Sequence, residues 1–374
     1  MSGDGGRPGA DARDIRATED TGQIATTEAR RIVKDMFSPN PFIYWADFLF
    51  SISVGWASFA AALNLATFSP GQLVFYVIAT LALYRAVIFI HELAHLKKGT
   101  FRLFRFVWNV TCGFPLMVPS FTYRGVHNDH HKRDIYGTKE DGEYLPFAVE
   151  RPYKIVGYIL LVFVLPLLSA GRFIVLTPLS YIHKGLRRFT WTQASSLTID
   201  FDYRRPGPLP RDGKTWKLQE LACFLYGVVA ILLVATGVLS YKALVLWYLI
   251  ALLIFFLNSL RTLAAHCYRN PGDRAMTLSE QYLDSVNVPG NRFLTTLWAP
   301  VGLRYHATHH LFPAMPYHAL GGAHRRLVRE LPNNEPYLRA TRRGLWDALK
   351  RLWKEAAAAR DPHARRPVET EIPG

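Results

Sequence analysis

Eight of the chain's 13 histidines stand in three short groups: His91 and His95 in HELAH, His127, His130 and His131 in HNDHH, and His306, His309 and His310 in HATHH. Neutral imidazole is a ligand for iron, zinc, copper and nickel, so such groups point to a metal centre. Residues at i, i+3 and i+4 share one side of a helix, and each group can therefore aim its rings at a common point. Eight or nine imidazoles exceed the demand of one ion, and two ions with about four ligands each is the economical count. His266 is the ninth candidate, because Thr262 to His266 read as a continuation of the last apolar block toward the other groups. The isolated His183 and His363 read as surface residues. His318 and His324, near the third group, are candidates for orienting a ligand from outside the metal.

The elements that must position these residues are membrane helices. Apolar blocks stand at 43–67, 71–90, 154–180, 218–238 and 242–263, each near the ~20 residues needed to cross a bilayer. The block at 103–120 carries Gly113, Pro115 and Pro119 and is not expected to cross. Ser69-Pro70-Gly71 and Ser240-Tyr241-Lys242 are the only breaks within the first and last pairs, so each pair reads as a tight helical hairpin. Lys184, Arg187, Arg188, Arg204, Arg205, Arg211, Lys214 and Lys217 lie between 154–180 and 218–238, and by the positive-inside rule they stay cytoplasmic. A crossing block at 154–180 would strand them outside. That block, interrupted by Pro166, Gly171, Arg172 and Pro178, is therefore expected to be re-entrant or interfacial.

The expected fold is thus an all-α integral membrane protein. Two transmembrane hairpins supply four spanning helices, with re-entrant or interfacial helices beside them. A cytoplasmic helical cap carries the metal site, and both termini are cytoplasmic. Residues 1–38, rich in Gly, Asp, Arg and Thr, read as a disordered tail and not a signal peptide, 39–325 as the membrane domain, and 326–374 as a basic tail. In that tail Leu345, Trp346, Leu349, Leu352 and Trp353 recur at helical spacing opposite Arg343, Lys350 and Lys354, which suits a membrane surface or packing on the cap. The net charge of +15 follows the apolar blocks and forms no stripe interleaved with aromatics, so nucleic acid is not expected as a partner. Three cysteines, Cys112, Cys223 and Cys267, in no CxxC spacing, indicate neither a disulfide framework nor a zinc ribbon.

The order HxxxH, HxxHH, HxxHH, with two boxes after one hairpin and the third after another, resembles the membrane fatty acid desaturases and their hydroxylase relatives. Tyr305-His306-Ala307-Thr308-His309-His310-Leu311-Phe312-Pro313-Ala314-Met315-Pro316 is similar to that family's third box, and Val118-Pro119-Ser120 through His131 to the approach to its second. The likeness covers residues 43–325. It implies two iron ions held by His91, His95, His127, His130, His131, His266, His306, His309 and His310. It also implies dioxygen as co-substrate, a fatty acyl lipid as substrate, desaturation as the reaction, and two electrons from a separate donor of the ferredoxin, rubredoxin or cytochrome b5 type. All-nitrogen ligation leaves the metal charge uncompensated, so Glu92, Asp129, Asp134, Glu140 and Asp141 are candidates to orient imidazole N–H groups, with Asp134 preferred. Where some relatives place a metal-associated asparagine one turn before the His266 position, this chain has Thr262.

Hydroxylation, or modification of a carotenoid or sphingolipid, is the alternative within the same superfamily. HELAH also fits the HExxH signature of an intramembrane zinc protease, in which Glu92 would be the general base. That reading leaves HNDHH and HATHH without a role.

Overall fold

A computed structural model describes residues 26–97, 99–333 and 336–359; most of the expected N-terminal tail, and His363, lie outside them. Among the described residues every regular element is helical, and the β-bridges are isolated. Eight helices matter for the site. They are α1 (Pro41–Asn64), α2 (Pro70–His95), α3 (Phe121–His130), α4 (Pro210–Ala235), α5 (Lys242–Ala265), α6 (His306–Leu311), α7 (Tyr317–Glu330) and α8 (Leu345–Ala358).

Local chemistry starts the first hairpin. Asn40 accepts from the Phe42 N–H and Ser69 Oγ from the Gln72 N–H, each followed by proline at the first helical position. Gly55 lets α1 lie against α2, since a Cβ there would meet Leu83 at 2.7 Å. Tyr44, Phe48, Leu83, Phe89, Phe104 and Trp108 fill the seam, and the buried Trp108 indole donates to the Ala86 carbonyl at 2.8 Å. The stretch after α2 holds no helix long enough to cross a membrane: it is a seven-residue helix, Arg102–Trp108, and a π turn, Asn109–Gly113.

Five helices are long and apolar enough to cross a membrane: Pro41–Asn64, Pro70–His95, Leu165–Ile182, Asp212–Ala235 and Lys242–Ala265. The third differs from the rest. It is approached through Tyr153–Leu160 and a 3-10 turn, Leu161–Phe163, and is itself broken by a π turn at Gly171–Leu176. The Phe163 carbonyl accepts from the Tyr248 hydroxyl at 2.9 Å. Further on, Arg172 donates to Glu220 and to the Ala194 carbonyl, and Arg187 donates to the same buried Glu220. The chain before and after this segment is then joined directly, Ile199 N–H to the Gly142 carbonyl at 3.0 Å and Leu197 N–H to the Thr122 carbonyl at 2.9 Å.

The expectation changes at the N-terminal end, and at the C-terminal end one of the two expected settings of the last helix is found. Residues 26–36, counted with the disordered tail, form a short α-helix over 26–32 and a 3-10 turn, Lys34–Met36, and Ala29, Ile32 and Val33 are buried in one cluster with Phe312, Leu320 and Leu327. Hydrophobic residues at this spacing were diluted by the polar stretch before them. At the other end α8 packs on the body of the protein: Ala348, Leu352 and Ala356 are buried, Leu352 beside Leu263 and Tyr268, and Arg269 forks onto Glu355 at 2.6 and 2.7 Å. Trp346 and Trp353 remain exposed.

Candidate metal centre

The histidines come from four places in the fold. The last turn of α2 carries His91 and His95, α3 and its end carry His127, His130 and His131, and α6 carries His306, His309 and His310. His266 is not a continuation of α5. That helix stops at Ala265, and His266 is extended (φ −134°, ψ 162°) and bridged to Ser285. The short helix α6 is fixed by the fully buried Asn287, whose Oδ1 accepts from the Thr308 N–H at 3.1 Å and hydroxyl at 3.2 Å.

The nine rings sort into two groups whose ligand atoms lie within 4.8 Å of one another: His91, His95, His127, His131 and His309 in one, His130, His266, His306 and His310 in the other. The boxes are therefore split and do not each converge on one point. Around a helix axis, i and i+4 differ by about 40°, whereas i+3 lies about 100° from i+4. His127 and His131 accordingly face one group and His130 the other, while His306 and His310 face the second and His309 the first. The groups share a wall, with the rings of His131 and His310 at 4.3 Å.

Within the groups Nε2 meets Nε2 at 2.8 Å (His95 to His127), 3.0 Å (His131 to His309), 2.9 Å (His266 to His306) and 3.0 Å (His306 to His310). Facing lone pairs repel unless a cation lies between them. Ligands at right angles on bonds of about 2.1 Å stand about 3.0 Å apart, so these spacings fit two metal ions. Both ring nitrogens of the buried His91 lack a hydrogen-bond partner within the protein, as a ligand's Nε2 would, and the nearest acid to Nδ1 is Glu92 at 3.6 Å. Burial, reinforced by the neighbouring rings, holds His127, His131, His266, His306, His309 and His310 well below the usual histidine range, in the neutral form that binds metal. For His130 burial acts the same way, but the Asp141 carboxylate outweighs it and raises the value.

Three carboxylates, Asp141 and Asp284 buried and Glu143 partly so, orient the rings from behind. Asp141 lies 2.8 Å from His130 Nδ1 and is held by the N–H groups of Gly137 and Glu143. Glu143 lies 3.0 Å from His127 Nδ1, where the Tyr123 hydroxyl also meets the ring. Asp284 acts at one remove: His266 Nδ1 meets the Tyr136 hydroxyl at 2.8 Å, which donates to Asp284 at 2.9 Å, and Tyr144 donates to the other oxygen at 3.1 Å. Burial pushes Glu143 up to about 7 and Asp284 up to about 6. Cations in the adjoining histidine groups would draw both back toward the ionised form.

The acidic residues read from sequence fare unequally. Asp134 is exposed, as is Glu140, and Asp129 pairs with Lys132 at 2.6 Å. Asp134 is the nearest acid after the second box in sequence, but the turn at 131–138 points it outward, and Asp141 takes the place expected of it. Glu143 and Asp284 were missed; the first follows Asp141 by two residues, while nothing local marks the second. Thr262 is buried and lines the cavity described below. His318 accepts from the Asn40 N–H, His324 meets the Tyr337 hydroxyl, and His183 caps the helix Lys184–Thr192; none joins the groups. Glu92 accepts from the Tyr44 hydroxyl and from the Tyr317 N–H at 3.2 Å, tying α1, α2 and α7 together. A glutamate so occupied is not placed as the base of a zinc protease.

Beside the histidines lies a cavity of about 560 Å³, lined by His91, His266 and His306 and also by Leu161, Leu165 and Leu168. Leu168 is also exposed on the outer surface, so this wall borders the lipid-facing side.

A model of the fatty acid desaturase family matches residues 67–342. The chain is also 43% identical over 329 residues to a protein described as ceramide hydroxylase, from Caulobacter vibrioides (strain NA1000 / CB15N), covering 88% of this chain and 93% of that one. Every histidine of both groups and all three of these carboxylates fall within the family match.

Proposed function

The chain belongs to the fatty acid desaturase family, and from that premise we propose that it is a membrane di-iron oxygenase that hydroxylates a ceramide-type sphingolipid. The observation that carries this reading is the 43% identity to a ceramide hydroxylase across nearly the whole of both chains. The desaturation expected from the boxes differs only in the second half of the reaction. After one hydrogen leaves an unactivated carbon, either that carbon receives oxygen or its neighbour loses a second hydrogen. The two histidine groups would hold two irons, whose chemistry would be the activation of dioxygen, and the electrons would come from a separate protein of the ferredoxin, rubredoxin or cytochrome b5 type.

The chain's own residues do the rest. His91, His95, His127, His131 and His309 would hold one ion, and His130, His266, His306 and His310 the other. Asp141, Glu143 and the Tyr136–Asp284 pair keep Nδ1 protonated on the rings they touch, leaving Nε2 free for metal. The apolar cavity wall takes the lipid chain and excludes water from the site. In a host that makes ceramide, expression of this chain is expected to yield ceramide with one added oxygen atom, read by mass spectrometry against an empty-vector control. Ceramide lacking two hydrogens would instead favour desaturation, and no lipid change with fully loaded protein would overturn both.

The topology of this reading has four spanning helices, α1, α2, α4 and α5, with both histidine-bearing ends cytoplasmic. Tyr248 lies six residues, or about 9 Å of helix, from the start of α5, so its bond to Phe163 supports a descent of 153–163 deep into the bilayer. The Arg172–Glu220 pair and the Ile199–Gly142 bond support its return to the side it came from. The basic residues from Lys184 to Lys217 then remain inside. Thiol labels at Asp202→Cys and Lys139→Cys are expected to react from one side of the membrane and Val238→Cys from the other; the three native cysteines are buried and need no removal. Labelling of Asp202→Cys from the Val238 side would mean that the segment crosses.

A further inference from the structure

One wall of the cavity is a single face of α5, and its character changes along the helix. Ala251, Ile254 and Phe255 line the deep part, and Asn258, Ser259, Arg261 and Thr262 line the part that leads to His266. Along α5 the wall is thus apolar toward Ala251 and polar toward His266. An ionisable group inside a spanning helix is costly and faces a partner or a cavity. Arg261 does the latter.

Its guanidinium is only partly committed. Nη2 donates to Asn258 Oδ1 at 2.9 Å and the guanidinium also meets the Tyr84 hydroxyl, whose own proton goes to the Trp298 carbonyl at 2.8 Å, while Nε is enclosed with no hydrogen-bond partner within the protein. Arginine carries donors and no acceptor, so the group that completes it must bring an acceptor atom. Glu143, which also lines the cavity and attracts Arg261 through its charge, is already hydrogen-bonded to His127 and Tyr123. We infer that Arg261, steadied by Asn258, receives an acceptor oxygen at the polar end of the lipid, in a ceramide-type substrate the amide carbonyl. Four helical steps, an axial rise of about 6 Å, take Arg261 to Ala265, the residue before His266. The carbon presented to the irons therefore lies a few bonds from that oxygen and not far down a hydrocarbon tail. This inference rests on the function proposed above and specifies which part of the substrate reacts.

The test uses the full chain in a ceramide-producing host, with a defined ceramide fed at several concentrations, and with membrane protein and bound iron measured beside the product. Tandem mass spectrometry locates the added oxygen. Wild type is expected to give one positional isomer close to the amide. Arg261→Met is expected to keep its iron, to need roughly tenfold to hundredfold more substrate for the same product, and to give a mixture of positions. Arg261→Lys should restore the single position at lower yield, which a merely structural role would not do. If Arg261→Met fails to insert, Asn258→Leu is read in its place, with a smaller spread of positions expected. A single unchanged isomer at wild-type concentration dependence, in whichever inserted variant is read, overturns the inference while leaving the hydroxylase reading intact. So does a wild-type oxygen placed far along a chain. A wild type that makes no hydroxylated ceramide removes the functional reading and this inference with it.

Discussion

His266→Ala is expected to abolish product formation and to lower bound iron from about two per chain toward one, as His130→Ala or His309→Ala should. The residue lies outside the three boxes, so its behaviour separates a ninth ligand from a helix-end histidine. The geometry favours the ligand. Nε2 of His266 stands 2.9 Å from Nε2 of His306, in a group of four that has no spare member, while Nδ1 is engaged by Tyr136. Losing one of four imidazoles opens that ion to water and unbalances a site that must hold both ions in register. His183→Ala serves as the contrast: its ring only caps Lys184–Thr192, so it should cost about 1 kcal/mol of helix stability and leave turnover unchanged. Membrane protein is quantified alongside product, because an unfolded variant also makes none. Wild-type turnover by inserted His266→Ala would remove it from the metal.

Asp141→Asn is expected to lower activity or iron retention tenfold to a hundredfold, whereas Asp134→Asn should stay near wild type. One oxygen of Asp141 accepts from His130 Nδ1 and the Gly137 N–H, and the other from the Glu143 N–H. An amide of the same shape has one acceptor and one donor end, so either orientation sets N–H against N–H in a fully buried site. Glu143→Gln should behave similarly through His127, but more mildly, because the Tyr123 hydroxyl can still meet that ring. Iron content and product are measured in parallel. Equal activity of Asp134→Asn and Asp141→Asn would show that ring orientation from Asp141 is not limiting.

Much of this site is written in local spacing. Histidines at i, i+3 and i+4, the apolar blocks that precede them and the basic stretch from Lys184 to Lys217 are short-range patterns, and short-range patterns survive in a sequence read alone. They are enough to indicate a membrane, a two-ion imidazole site and the nine residues that would hold it. The family match and the relative agree with the membrane-oxygenase class, while the choice between adding oxygen and removing hydrogen left no mark in the boxes.

What the tertiary structure decided depends on residues far apart in the chain. Which ring joins which group follows from the approach of α6 to α3, which sets His309 beside His131 although 178 positions separate them. Asp284 reaches His266 only because the bridge at Ser285 folds that loop back, and the Tyr136 between them comes from 148 residues upstream of the acid. Asp134 and Asp141 are equivalent in sequence, and only the turn that exposes one and buries the other distinguishes them. The same holds for Arg261, which in sequence is one cation in an apolar block and in the fold is a donor aimed into a cavity. Burial and convergence are properties of surfaces brought together by packing, and no window along the chain contains both surfaces.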